Sequence, residues 1–347
     1  MDLLAGRSNG LAQRHAGCPT IERGGMRMRT TREAGFTLIE VMAAVAIFSI
    51  AMTAVYATFT FQHKSYTTQS HVAQMQENFR DAMVPLNRDI RLAGYGIPAP
   101  VTIPDGAVAA GVTTIRSLYP VDSTTGSDTL YIMYLYDMDS NQPPTTITSP
   151  MPNPSAEFNV AQVTGFLEGD LCFITDGGAA DMFQVTTVQG GSLKIQHNPG
   201  GSATDYNNAG GHNTFPPGGY DTGSRIAKAR FLRYYVDTTT DPDHPTLMVD
   251  RMGGAPPQPV ADDIEDMQFQ YFLDTDFDGV PETWSDNPGD LTQIRQVRIL
   301  LCARTKFPEK GWQEVRPALG NRPAGAGADG YRRRMLAITL DVRNAGI

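Results

Sequence analysis

The sequence predicts an α+β protein: a long N-terminal α-helix, transmembrane in its first half and amphipathic in its second, packed on a C-terminal antiparallel β-sheet domain. Three observations predict it. Residues 36–61 (FTLIEVMAAVAIFSIAMTAVYATFTF) form an apolar run whose single formal charge is Glu40. Beyond it, Val72, Met75, Phe79, Ala82, Met83, Leu86, Ile90 and Ala93 recur at three- and four-residue steps, the spacing of one apolar helix face. From residue 129 onward, aromatic and β-branched runs alternate with Gly, Asn, Asp and Pro clusters, with no helical pattern between them.

As a helix, the 36–61 run would be about 39 Å long, and a bilayer core needs about 20 apolar residues. The segment can therefore span a membrane. Arg27, Arg29 and Arg32 precede it and would hold that end on the cytoplasmic side. A secretory signal peptide or a generic signal anchor is the plainer reading. A secretory signal, however, has a shorter apolar stretch followed by a small-residue cleavage site. A generic anchor leaves Glu40 unexplained, because an acid in a membrane helix costs a few kcal/mol and marks a functional pairing.

The second half of the helix, 62–96, places Gln76, Glu77, Arg80, Asp81, Arg88, Asp89 and Arg91 away from the apolar stripe. Pro85 is expected to kink it or loosen a turn. Gly94, Gly96 and Pro98 stop it. Residues 97–128 read as a Pro-, Gly- and Thr-rich connection. Strands are expected at 129–136, 171–175, 182–188, 192–196, 229–236, 264–273, 294–303 and 335–342. Without intervening helices, an antiparallel sheet is favoured over a parallel one. The stretch 199–221 (PGGSATDYNNAGGHNTFPPGGYD) has no periodicity and is expected to be a long exposed loop. Residues 97–347 thus form a β-rich domain on the extracytoplasmic side.

The string Gly35-Phe36-Thr37-Leu38-Ile39-Glu40 resembles the cleavage and methylation signature of type IV prepilins and their secretion-system relatives. The resemblance implies cutting between Gly35 and Phe36 by a prepilin peptidase, then N-methylation of Phe36. Residues 1–35 would be the leader. Its length is unusual, and Met26 and Met28 are both candidate starts; from Met28 it would read MRTTREAG. Glu40 becomes the fifth residue of the mature chain. There its carboxylate would neutralise the Phe36 ammonium of a neighbouring subunit, so that neither charge is alone in a low-dielectric bundle.

Residues 88–95 (RDIRLAGY) resemble the helix end of PilW-type minor pilins, and so do 263–271, 294–301 and 331–344. The middle, about 97 to 255, matches poorly. The resemblance implies a minor pilin that helps to initiate type IV pilus assembly and sits at the filament tip. Its partners would be other minor pilins, the major pilin, the prepilin peptidase and the inner-membrane assembly platform. It would be held in the inner membrane with its C-terminal domain in the periplasm, then become extracellular on assembly. A J-class pseudopilin of type II secretion is the alternative within the superfamily. A calcium-dependent adhesin displayed on the pilus is the alternative from another class.

Residues 274–282 (DTDFDGVPE) put Asp274, Asp276, Asp278 and Glu282 around a glycine turn. Calcium needs six to eight oxygens, and alternating acids bring carboxylates to one point. Val280 would add a backbone carbonyl. The twelfth position is Ser285 and no helix flanks the loop, so this is no EF-hand. It resembles the nine-residue Asp-x-Asp-x-Asp-Gly calcium loops of extracellular proteins. A solvated Asp-Gly turn joining two strands is the competing reading.

Other chemistry is not indicated. The net charge of −9 argues against nucleic-acid binding. No Gly-x-Ser-x-Gly, His-Glu-x-x-His, P-loop or dinucleotide motif is present. The histidines after the leader (His63, His71, His197, His212, His244) are scattered, and Asp262 with Asp263 simply precedes a strand, so no enzyme is expected. Cys18 would leave with the leader. Cys172 and Cys302 lie in strand-like apolar runs; they could pair in an oxidising periplasm or remain buried free thiols.

Overall fold

The structure, a computed structural model, describes residues 35–97, 100–135, 143–178, 180–198, 206–207 and 215–344. The expected leader lies outside these residues except for Gly35. The chain divides into two units, one up to Gln62 and one from His63 onward. The helix α1, Leu38–Leu92, has 55 residues and contributes to both.

In the first unit, the helix exposes its apolar side chains all round. Ile47, Phe48, Ile50, Val55 and Phe59 are each at least 60% exposed. A helix that is apolar on every side suits a lipid or a bundle of like helices rather than water. The hydroxyls of Ser49, Thr53, Thr58 and Thr60 need no outside partner. Ser49 Oγ donates to the Val45 carbonyl at 2.7 Å, Thr53 to Ser49 at 2.8 Å, Thr58 to Ala54 at 3.0 Å and Thr60 to Ala57 at 2.9 Å. In hydrocarbon each of those groups must be satisfied internally, and here it is.

In the second unit, the helix buries Met75, Phe79, Ala82, Met83, Leu86 and Ile90, the stripe its spacing predicts. The helix continues through Pro85 without interruption, with buried Met83, Leu86 and Ile90 on either side of it. The stripe meets the facing surfaces of two sheets. Ten principal strands carry them: β1 Thr129–Leu135, β2 Leu171–Thr175, β3 Ala180–Gln184, β4 Arg225–Asp237, β5 Thr246–Arg251, β6 Gln258–Ala261, β7 Ile264–Leu273, β8 Thr283–Ser285, β9 Ile294–Arg304 and β10 Arg333–Asp341.

The first sheet is ten-stranded, and β4 is its spine. Its start, Arg225 to Lys228, pairs with β2; Ala229 to Tyr234 pairs with β1; Leu232 to Asp237 pairs with β5. These ladders are antiparallel, as expected. One parallel bridge joins Thr102 to Asp181 in β3. The second sheet runs β8-β7-β9-β10, all antiparallel.

Alternation sorts the side chains. Leu130, Ile132 and Tyr134 of β1 face the helix with Met267, Phe269 and Tyr271 of β7 and Val297, Ile299 and Leu301 of β9. The other face of β1 (Tyr131, Met133, Leu135) packs with Val101, Ile103, Ile115 and Phe231 in a second core. Burial on both faces explains why β1 reads as a continuous apolar run rather than an alternating one.

Three expectations need correction. The 97–128 connection is more than a linker, since Val101–Thr102, Thr114–Ile115 and Leu118–Val121 are short strands that join the first sheet. The 182–188 strand is two strands. β3 ends at Gln184, and Thr187–Gln189 begins a separate three-stranded sheet with Lys194–Gln196 and Phe158–Asn159. The described parts of 199–221 are only partly exposed: Pro217, Gly218 and Asp221 are, but Tyr206, Asn207, Phe215 and Tyr220 are buried. Asn207 accepts the Gln184 N–H at 3.0 Å and donates to the Gln184 carbonyl at 2.7 Å. Its amide thus occupies both backbone groups of the last β3 residue, as a neighbouring strand would.

Candidate functional site

At the N-terminal motif, Gly35 precedes the helix in open space and Phe36 is 89% exposed. Thr37 and Glu40 then bond reciprocally. Glu40 Oε2 accepts the Thr37 N–H and the Thr37 hydroxyl, both at 2.9 Å, and the Glu40 N–H donates to Thr37 Oγ1 at 3.3 Å. This is a capping box, which satisfies donors that a helix N-terminus leaves orphaned and sets a carboxylate at the positive end of its dipole. Glu40 therefore has an intramolecular partner besides any intermolecular one. The Thr-x-x-Glu spacing was legible in the sequence, although the motif's role in holding Glu40 was not drawn from it.

The acidic loop caps the β7–β8 hairpin, closed by the Leu273–Thr283 pair. Carboxylate oxygens of Asp274, Asp276, Asp278 and Glu282 lie within 4.8 Å of one another. The loop's own N–H groups arrange them. Asp278 N–H donates to Asp276 Oδ1 at 3.2 Å, Val280 N–H to Asp278 Oδ1 at 2.7 Å, and Thr275 N–H to Glu282 Oε2 at 3.1 Å. Phe277 (φ 61°) and Gly279 (φ 93°) make the tight reversal. Asp274 is fully buried, and the Arg295 guanidinium meets its Oδ2 at 2.8 and 2.9 Å. Among the sequence-predicted ligands, the four acids converge, and Val280 lies in the same turn.

Cys172 and Cys302 are both free and buried. The pairing considered for them is not made; Cys172 lies on β2 and Cys302 on β9, in different sheets. Burial pushes the Cys172 thiol well above its usual value and that of Cys302 up to about 12. Both are inert thiols in this fold. Asp263 serves a turn. It has φ 55°, its carbonyl accepts the Arg304 N–H at 3.0 Å and its Oδ1 lies 3.0 Å from His244 Nδ1.

Asp89 corrects another expectation. Read as part of the polar helix face, it is 1% exposed. Tyr134 Oη donates to its Oδ1 at 3.0 Å and Tyr234 Oη to its Oδ2 at 2.6 Å, with Arg88 Nε at 2.8 Å. One carboxylate thus ties the helix to β1 and β4. Burial, with Asp89 beside them, raises both phenols above their ordinary range.

Two families match this chain. One, described as the prokaryotic N-terminal methylation motif, covers residues 30–56. The other, described as type IV pilus-assembly protein W, covers residues 233–344, from the end of β4 through β10. The chain thus pairs a prepilin-type N-terminus with a PilW-like C-terminal region. The PilW match includes the acidic loop and the whole second sheet. Among solved structures, a type IV-like pilin from Thermus thermophilus is similar at 11% identity over 78% of this chain and 98% of that one, with a TM-score of 0.37. No curated protein matches this chain. Its prepilin motif and long apolar helix fit a membrane-anchored pilin.

Proposed function

We propose that this protein is a minor pilin that enters a small complex with other minor pilins, helps to initiate type IV pilus assembly and sits at the filament tip. The observation that carries the reading is the Gly35-Phe36-Thr37-Leu38-Ile39-Glu40 motif opening a helix whose apolar side chains are exposed as far as Phe61. In this reading a prepilin peptidase cuts after Gly35, and Phe36 is methylated. The helix stores the subunit in the inner membrane, with the β-domain in the periplasm. Extraction by the assembly platform then exchanges lipid for neighbouring pilin helices. Such an exchange gains little from hydrophobicity, so shape and polar pairing set the register.

The capping box gives Glu40 two states. In the stored subunit the carboxylate is held by Thr37. In the filament it pairs with the Phe36 ammonium of a neighbour, and the gain is the difference between the two. Mass spectrometry of the native protein should find N-methyl-phenylalanine at position 36. Glu40→Ala should leave cleavage intact and deplete the chain from sheared filaments. An intact leader, or undiminished incorporation of the variant, would refute the reading.

A further inference from the structure

The geometry points to a calcium site at the tip of the β7–β8 hairpin, formed by Asp274, Asp276, Asp278 and Glu282. Four converging acids alone would be an acidic turn. The second observation is the buried oxygen of Asp274. Its Oδ2 takes three donors: Arg295 Nη2 at 2.8 Å, Arg295 Nε at 2.9 Å and the Gly279 N–H at 3.1 Å. Its Oδ1, on a side chain with no exposed surface, has no hydrogen-bond partner. A buried anionic oxygen without a donor is costly. Here the carboxylate faces the oxygens of three further acids within 4.8 Å, so more anionic charge surrounds it. A cation supplies the missing partner and relieves the repulsion together.

The donor set selects the ion. Every converging side chain is a carboxylate, the ligand of hard cations, and no imidazole or thiolate is present for zinc or copper. Calcium accepts six to eight oxygens in a flexible shell, which a carboxylate-lined loop can supply, whereas magnesium demands a near-octahedral shell of about 2.1 Å radius and gives up its waters reluctantly. Arg295 would act as a positioning residue, holding Oδ2 so that Oδ1 faces the ion. Because Arg295 opens β9, the ion would also fasten the hairpin tip to that strand. The inference is independent of the pilin reading, since the loop would bind calcium whether or not Phe36 is methylated.

The test is calorimetric titration of the full-length chain in detergent micelles with calcium chloride, with magnesium chloride in parallel. One calcium per chain is expected, with a dissociation constant of about 10⁻⁴ to 10⁻³ M, the range of extracellular sites. Saturating calcium should raise the melting temperature by roughly a few degrees. Asp274→Asn risks unfolding the hairpin, so Asp276→Asn is the informative variant. Its side chain is exposed and accepts only the Asp278 N–H among the bonds described. It should weaken binding about tenfold or more, since affinity follows the number of charged ligands, and abolish the thermal shift. Absence of heat and of thermal shift up to ~20 mM calcium, well above that range, would overturn the assignment. So would equal responses of parent and variant, or of calcium and magnesium, which would mean diffuse screening of an acidic surface.

Discussion

Replacing Asp89 by Ala should be among the most destabilising single changes in the helix. The substitution strands two phenol hydroxyls, Tyr134 and Tyr234, which are 4% and 1% exposed. Each buried orphan costs about 1–3 kcal/mol, which sets a total of roughly 2–6 kcal/mol. The Arg88 contact adds little, because that side chain is 62% exposed and surface ion pairs are worth about 0–1 kcal/mol. An adjoining cavity of about 350 Å³, lined by Pro85, Leu92 and Arg230 among others, can admit water to the stranded hydroxyls. The expected loss is therefore about 3 kcal/mol, in the lower half of the range. Asp89→Asn keeps the shape and one acceptor and should lose about 1–2 kcal/mol. Urea unfolding of the full-length chain in micelles, followed by near-ultraviolet circular dichroism, measures these differences. Tyr234→Phe supplies the control. Its cost should largely vanish in the Asp89→Ala background, because the two groups share one interaction. Full additivity, or a loss below about 1 kcal/mol for Asp89→Ala, would refute the reasoning.

Burial raises the Asp128 carboxyl from 3.8 to about 7. Between those values the folded state binds more protons than the unfolded chain, so this group's contribution is largest near pH 4 and is lost as pH rises towards 7. Asp128→Asn should flatten that fall in urea midpoints measured across the window. Gly94 has φ 79°, and a Cβ there would sit 2.4 Å from the Asn344 carbonyl oxygen. Gly94→Ala should therefore destabilise by more than the ~1 kcal/mol of left-handed backbone strain alone, read as a lowered urea midpoint. Thr37→Ala should weaken the helix start by about 0.5–2 kcal/mol and lower the yield of the chain in sheared filaments, with Thr37→Ser restoring it. Equal yields for the two variants would exclude the hydroxyl's role.

The helix was legible because its apolar residues keep one period from Val72 to Ala93, and the packed stripe follows that period residue for residue. Asp89 was misplaced because residue type was weighed above spacing. Three residues beyond Leu86 and seven beyond Ala82, it falls on the buried face. The central strands were legible where both faces are covered, as in 129–135. Strands Thr246–Arg251 and Gln258–Ala261 were missed, since each is short and bounded or interrupted by proline. Within 199–221, the Gly, Asn and Pro content matches the exposed Pro217, Gly218 and Asp221, while the aromatic Tyr206, Phe215 and Tyr220 signalled the buried part. At the candidate site, the converging acids could be read from alternation around Gly279. The Arg295 contact spans 21 positions and depends on how β7 and β9 align, which no local pattern encodes.

The Ser and Thr hydroxyls of the apolar rod all turn inward to carbonyls one turn back. Apart from the exposed Tyr56 phenol, its flank offers a neighbour few polar contacts before the turn that carries Glu40. In the proposed pilin reading, depth in the bilayer and stagger against an adjacent rod would be read mainly at the end where the carboxylate sits. Such a rod can travel freely and still stop at a defined height.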